Sequence, residues 1–257
     1  MFIELKTPQE MAVMDDAGRI ITQILRSVRR GVRDGMSTKE LEDIAVEEMQ
    51  KYGVEPAFLG FRGFPANICV SLNEELVHGI PDRTRRIKDG DIVKADIGIK
   101  HKGFCGDIAE TIPVGKVSPE IRKLLAVTYG CFNEVMKHAK QGNRLGDVSG
   151  NIQKYVEGNG YSVIREYVGH GIGRNLHEKP EVPNFGLPGI GPKLAAGMVL
   201  AVEPMVAAGG WKTKTLKDNW TVVTADGGLC AHFEHMVAIT ENGPRFMTEM
   251  DPPEPYE

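Results

Sequence analysis

Apolar positions along the chain recur with two periods, and the periods fall in blocks. From Met11 they continue through Met14, Ala17, Ile21, Ile24, Leu25 and Val28, the spacing of one helical face. Thr7-Pro8-Gln9-Glu10 is a helix start: threonine as cap, proline at the first helical position and glutamate closing a capping box. Gly31 and Gly35 end this helix. A second capping box, Ser37-Thr38-Lys39-Glu40, opens another, with Leu41, Ile44, Ala45, Met49 and Tyr52 in helical register and Gly53 as its stop. The period then shortens. "NICVSL" (Asn67–Leu72) and "DIVKADIGI" (Asp91–Ile99) have strand composition, separated by turn signals at Gly79-Ile80-Pro81-Asp82 and Asp89-Gly90. "KADIGIKHKGFCGDIAET" (Lys94–Thr111) reads as a hairpin.

The order repeats in the second half. Ser118-Pro119 starts a helix running to about Lys140, Gly142 stops it, and Asp147 is positioned to cap a shorter helix to Glu157. Strands are expected in "YSVIREYV", "MVLAVEPMV", "NWTVVTA" and "HFEHMVAIT". Gly35 and Gly142 hold equivalent places, as do Gly53 and Gly160, each pair 107 positions apart. This predicts an α+β fold of two pseudosymmetric halves, about 7–112 and 118–248, within a single domain, 1–257. Gly186–Lys193 is a Gly/Pro loop, and the Pro-rich acidic tail 249–257 is expected to be disordered.

Composition narrows the class. The 257 residues carry a net charge of −4 and are 41% hydrophobic, enough for a packed core and without the basic footprint of a nucleic-acid binder. The short run Arg83–Lys88 reads as a solvated loop. No segment approaches the roughly 18 apolar residues needed to span a membrane, and the N-terminus has no apolar signal region. Cys69, Cys105, Cys131 and Cys230 form no C-x-x-C pair, so they read as reduced thiols in a cytoplasmic protein and exclude a zinc ribbon.

The hairpin poses a chemical question, because strands are poor in aspartate and Asp96 and Asp107 lie one on each arm. A turn centred on His101-Lys102 puts them directly opposite, with Cβ atoms about 4.5–5.5 Å apart. A three-residue loop would need a bulge at Gly103 or Gly106 to restore that register. Paired carboxylates suit sharing a proton or gripping a cation. Glu203 in "MVLAVEPM" and Glu234 in "CAHFEHMVAI" also lie in apolar strand contexts, where an ionised group needs a partner. His170 sits between glycines in "YVGHGIG", which gives close backbone access. His177 and His78 are weaker candidates, each being a single histidine in a loop-like context. Four carboxylates and one imidazole without thiolates disfavour a structural zinc site. Two divalent ions would balance the charge, and a water bridging them would be acidified to a nucleophile for hydrolysis.

The motifs "ADIGIKHKGFCGD", "GHGIG", "AVEP" and "HFEHMVAIT" together resemble the type I methionine aminopeptidase family of pita-bread metallopeptidases, over about Pro8–Thr248. The resemblance implies a catalytic domain that removes N-terminal methionine from peptides and nascent proteins, preferring a small second residue. It implies Asp96, Asp107, His170, Glu203 and Glu234 as metal ligands, with Asp107 and Glu234 bridging two ions (Co, Fe, Mn or Zn). Glu203 is then the general acid/base, His177 lies near the scissile carbonyl and His78 near the amide nitrogen. A methionine pocket is implied at Phe58, Phe61, Phe64, Cys69 and Trp220. Bacterial members often carry cysteine at the first of these positions and tyrosine at the next two. A monovalent cation near Asn73, ribosome association and a monomeric state are further implications. Xaa-Pro peptidases of this fold carry a large N-terminal domain, which the sequence lacks. Metal-free binding relatives lose ligands, whereas all five are present here.

Overall fold

The computed structural model describes residues 2–253. Helix α1, Pro8–Gly31, begins as its sequence dictates: Glu10 N donates to Thr7 Oγ1 and Thr7 N donates to Glu10 Oε2. Helix α2, Thr38–Tyr52, carries the same box on Ser37 and Glu40 and ends on Gly53 in the left-handed region (φ 64°). These helices lay Ile21, Ile24, Leu25, Val28, Leu41 and Ala45 on a sheet built from Ile68–Leu72, Ile92–His101 and Phe104–Pro113, with Glu55–Pro56 on its edge.

The second half repeats the plan. Helix α3 (Pro119–His138) and helix α4 (Leu145–Gly158) pack Leu124, Phe132, Val148 and Ile152 against a five-stranded sheet, in which Val199–Val202 lies between His235–Thr240 and Gly169–Gly171. The four glycines noted in the sequence all sit at positive φ: 79° and 91° for Gly35 and Gly142, 64° and 87° for Gly53 and Gly160. Helix α4 starts earlier than expected. Arg144 is its N-cap, and Asp147, from the third helical position, accepts the Arg144 N–H at 2.7 Å. "YSVIREYV" is strand only at Ser162–Val163, and "HFEHMVAIT" holds the last residue of one strand, Cys230–His232, and the whole of another, His235–Thr240.

The hairpin register differs from the expectation. Its loop is Lys102-Gly103, with φ values of 48° and 81°, and His101 pairs with Phe104. Asp96 therefore faces Ala109 and Asp107 faces Gly98, in an unbroken ladder without a bulge. The aspartates are diagonal neighbours on one face, a separation of roughly 7–8 Å along the backbone rather than the direct opposition expected.

The halves meet along a seam of regular period. Thr111 Oγ1 donates to His232 O at 2.6 Å and accepts the His232 N–H at 2.8 Å. Glu234 N donates to Ala109 O at 2.8 Å, and Asp107 N to Met236 Sδ at 3.4 Å. Every second residue of the hairpin's outer arm thus meets every second residue of 232–236. A third apolar cluster, including Met14, Phe64, Cys69, Ile172, Val199 and Met236, fills the space between the sheets. Of the tail 249–257, expected to be disordered, residues 254–257 lie outside the described residues. Glu249 N donates to Thr22 Oγ1, and Met250 O accepts from Tyr129, so the start of that segment is tethered. No described helix is long and apolar enough to cross a membrane. All four cysteines are free and buried. The basic run is only partly a solvated loop: Arg83 is exposed, but Arg85 turns inward to Glu75 and to the carbonyls of Val70 and Ile80.

Candidate metal centre and substrate cavity

The apolar strand Ile92–His101 presents Lys94, Asp96 and Gly98 on one face, and the seam brings the second half to that face. A cavity of about 260 Å³ lies there, lined by all twelve sequence-derived candidates. Donor atoms of Asp107, His170 and Glu234 all lie within 4.8 Å of one another, as atoms sharing an ion must. His170 Nε2 is 3.8 Å from Asp107 Oδ2 and 3.8 Å from Glu203 Oε1. Its Nδ1–H donates to Gly171 O at 3.0 Å, which leaves the Nε2 lone pair facing the carboxylates. Asp96 borders the same cavity beside its cross-strand partner Cys69.

The glycines around His170 are sterically required. A Cβ on Gly169 would stand 2.3 Å from Ala201 O, and one on Gly171 would stand 2.4 Å from Lys179 O. Only bare backbone lets the His170 strand approach its neighbours. Gly98 makes room for a side chain instead. A Cβ there would meet the Phe58 ring at 2.3 Å, so its absence lets Phe58 reach the cavity.

Electrostatically, the cluster is under tension. Burial first, then Glu234, Asp96 and Glu203, push the Asp107 carboxyl well above the usual range. Burial also raises Glu203 and Glu234 well above it, and lifts Asp96 to about 6. Burial lowers His170 to about 3 and His78 to about 4. Asp107 Oδ1 and Glu234 Oε1 are buried without a hydrogen-bond partner among the described residues. Orphaned acceptors and mutually repelling acids are what a divalent cation would satisfy, and an oxygen-plus-imidazole set fits such ions. The residues present therefore fit the expected metal.

Aromatic groups shape the rest. Phe64 stands edge-on to Trp220 (5.1 Å between centroids), and Phe61 edge-on to His177 (5.1 Å). His78 packs against Tyr167 and Trp220, and the His170 and His177 rings are 4.1 Å apart.

Several residues at the site were not singled out by the sequence. His232 is 1% exposed, neither ring nitrogen has a hydrogen-bond partner among the described residues, and Nε2 lies 3.5 Å from Glu203 Oε2. Its alternation with Glu234 was the available signal. Arg62 and Tyr167 line the cavity, and Asn184 Nδ2 donates to Glu203 O; none had a pattern to mark it. The carbonyl of Asn73, where a monovalent cation was expected, accepts from Lys94 Nζ at 2.8 Å.

Comparisons with known proteins identify the family. Methionine aminopeptidase 1 of Bacillus subtilis is 52% identical over 245 residues, 95% of this chain and 98% of that protein. The crystal structure of a methionine aminopeptidase from Thermotoga maritima superposes with a TM-score of 0.95 at 45% identity, covering 97% of this chain and all of that one. The prolidase of Pyrococcus furiosus shares the fold (TM-score 0.79, 22% identity), with 96% of this chain matched to 66% of that one. The sequence model of metallopeptidase family M24 matches residues 12–241. With a match over residues 12–241 and relatives of this identity along nearly the whole chain, the chain belongs to metallopeptidase family M24.

Proposed function

We propose that the protein is a methionine aminopeptidase: it hydrolyses the first peptide bond of chains beginning with methionine, preferring a small second residue. One observation carries this reading. A carboxylate–imidazole cluster fit for divalent ions shares a single cavity with an apolar, thiol-bearing slot of Phe58, Phe61, Phe64, Cys69 and Trp220. Such a slot suits a thioether, whose soft sulfur packs well against ring edges. At about 260 Å³, the cavity falls below the roughly 300–1,000 Å³ of pockets that take drug-sized ligands. That size fits one side chain and a small neighbour.

Asp96, Asp107, His170, Glu203 and Glu234 would hold two divalent ions, of cobalt, iron, manganese or zinc. When bound, such ions supply Lewis acidity, acidifying water and polarising a carbonyl. The chain's own residues do the rest. Glu203, with Oε1 toward His170 and Oε2 toward His232, would take a proton from the attacking water and return it to the leaving amine. His78, at about 4, is neutral at physiological pH, and partial burial followed by the Arg62 charge lowers His177 as well. Both therefore act as neutral hydrogen-bond partners: His177 toward the charge developing on the carbonyl oxygen, His78 toward the amide. The aromatic slot orients the first side chain and excludes water from it.

In this reading 1–257 is one catalytic domain, acting as a cytoplasmic monomer on nascent chains at the ribosome. Release of methionine from Met-Gly and Met-Ala peptides, set against Xaa-Pro peptides, tests it. Methionine release that falls as the second residue grows is expected. Cleavage of Xaa-Pro alone, or no metal-dependent cleavage, overturns the proposal.

A further inference from the structure

Lys94 sits in "DIVKADIGI" between Val93 and Ala95, both fully buried, and is itself 1% exposed. A buried lysine is ordinarily matched by a carboxylate. Among the described residues, this one is not. Its Nζ donates instead to two main-chain carbonyls, Asn73 O at 2.8 Å and Cys230 O at 2.9 Å. One carbonyl comes from each half of the chain. Glu75, a nearby acid, is committed to Arg85 and to the Leu72 N–H.

The carbonyls are held in place by other groups. Asn73 has a positive φ of 51°. Its side chain donates to Asp91 Oδ1 at 2.9 Å and accepts the Ile92 N–H at 3.1 Å. Cys230 N donates to Asn73 O at 3.3 Å. Carbonyl oxygens from separate segments that converge on one buried point are how a protein replaces the hydration shell of a small cation. The surrounding acids Glu74, Glu75 and Asp91 add a field favouring positive charge there.

The location matters to the metal cluster. Lys94 precedes Asp96 by two residues on the same strand face, and Cys230 precedes Glu234 by four. Lys94 also pairs across the hairpin with Thr111, whose hydroxyl bonds both main-chain groups of His232. We propose that Lys94 is a built-in cation: its ammonium occupies a carbonyl-lined cation position in the seam and fixes the Asp96 strand against the Glu234 segment without recruiting a monovalent ion from solution. Lys94 is thus a positioning residue, acting through the ligand-bearing segments. The inference concerns the seam and does not depend on which peptide bond the enzyme cleaves.

The test uses the full chain and replaces choline chloride stepwise with NaCl or KCl at constant ionic strength. Wild type should have the same thermal midpoint and the same kcat/KM in all three salts. Lys94→Ser opens the position, takes the donor from Cys230 O and leaves Asn73 O with only the longer bond from Cys230 N. Its midpoint in choline chloride should fall by roughly 5–10 °C, and Na⁺ or K⁺ should restore at least half of that, saturably and with one ion preferred. Lys94→Gln, which fills the space with a neutral amide, should be destabilised and not rescued. Monovalent-ion dependence in wild type, or a Lys94→Ser protein indifferent to the ion, overturns the proposal. If Lys94→Ser refolds only in NaCl or KCl, the proposal stands; if it refolds in no salt while wild type does, the proposal fails.

Discussion

Gly169→Ala isolates the steric logic of the proposed metal cluster. The new Cβ would lie 2.3 Å from Ala201 O, 3.2 Å from Val182 O and 3.3 Å from Glu203 Cγ. Real Cβ contacts almost never fall below 3.0 Å, so the backbone must yield by at least 0.7 Å. Both nearest neighbours are main-chain carbonyls in a sheet, and neither can rotate away. Overpacking of this kind costs about 1–3 kcal/mol. For a chain of this size, that is a fall in thermal midpoint of roughly 2–12 °C. The neighbouring residue is His170, whose Nε2 lies 3.8 Å from both Asp107 Oδ2 and Glu203 Oε1 and, in the proposed ligand set, would have to stay there. Misplacement approaching 1 Å in a reacting constellation costs up to about 100-fold, so kcat/KM on a Met-Ala peptide should drop roughly 10–100-fold. Gly158→Ala is the control, since a Cβ there meets nothing within 4 Å; it should be neutral or stabilising by about 0.4–1 kcal/mol. Wild-type midpoint and turnover in Gly169→Ala would refute the argument that His170 needs bare backbone beside it.

Three further outcomes are expected. Burial lifts Glu110 to about 7 although Arg29 Nη1 lies 3.0 Å away. The folded state therefore holds this proton more tightly than the unfolded chain. The resulting stability is complete below about pH 4.5 and is lost as pH rises through 7. Glu110→Gln should flatten that slope, on the order of 3 kcal/mol, in thermal midpoints between pH 5 and 8; identical slopes in both proteins would count against it. Asp107→Asn removes charge from the centre of the cluster, so bound metal by elemental analysis and kcat/KM should both fall, the latter more than about 100-fold. Retained metal with near-normal turnover would sink the ligand assignment. His177→Ala should cut kcat by roughly 10²–10³ with metal content unchanged, and parallel loss of metal would show a different role.

Much of this was legible because local signals were strong. Both capping boxes, the glycines closing the two short helices and the two helix-pair blocks are written in short-range chemistry, and the structure follows them, although the long helices end at Gly31 and His138, ahead of Gly35 and Gly142. The hairpin register was not. Its two-residue loop puts a lysine, Lys102, in the left-handed region with φ 48°, where asparagine or glycine is the usual signal. The clue was Gly103 alone, and the turn was placed one residue early. The cluster was legible through acids in apolar runs, but Lys94 went unexplained in the same run, because its partners are main-chain oxygens that no side-chain pattern encodes. His232 was missed for a related reason: its surroundings come from Glu203 and from the other half of the chain.

The seam also has a consequence for the order of events in folding. Asp96 and Asp107 come from the first half and His170, Glu203 and Glu234 from the second, so neither half holds the proposed ligand set. The stitches between Thr111 and His232 join positions 121 residues apart. Contacts spanning more than a hundred residues are slow to form. Metal uptake should therefore lag helix formation during refolding, and chains truncated before Glu234 should have helical content without the metal affinity of the finished enzyme.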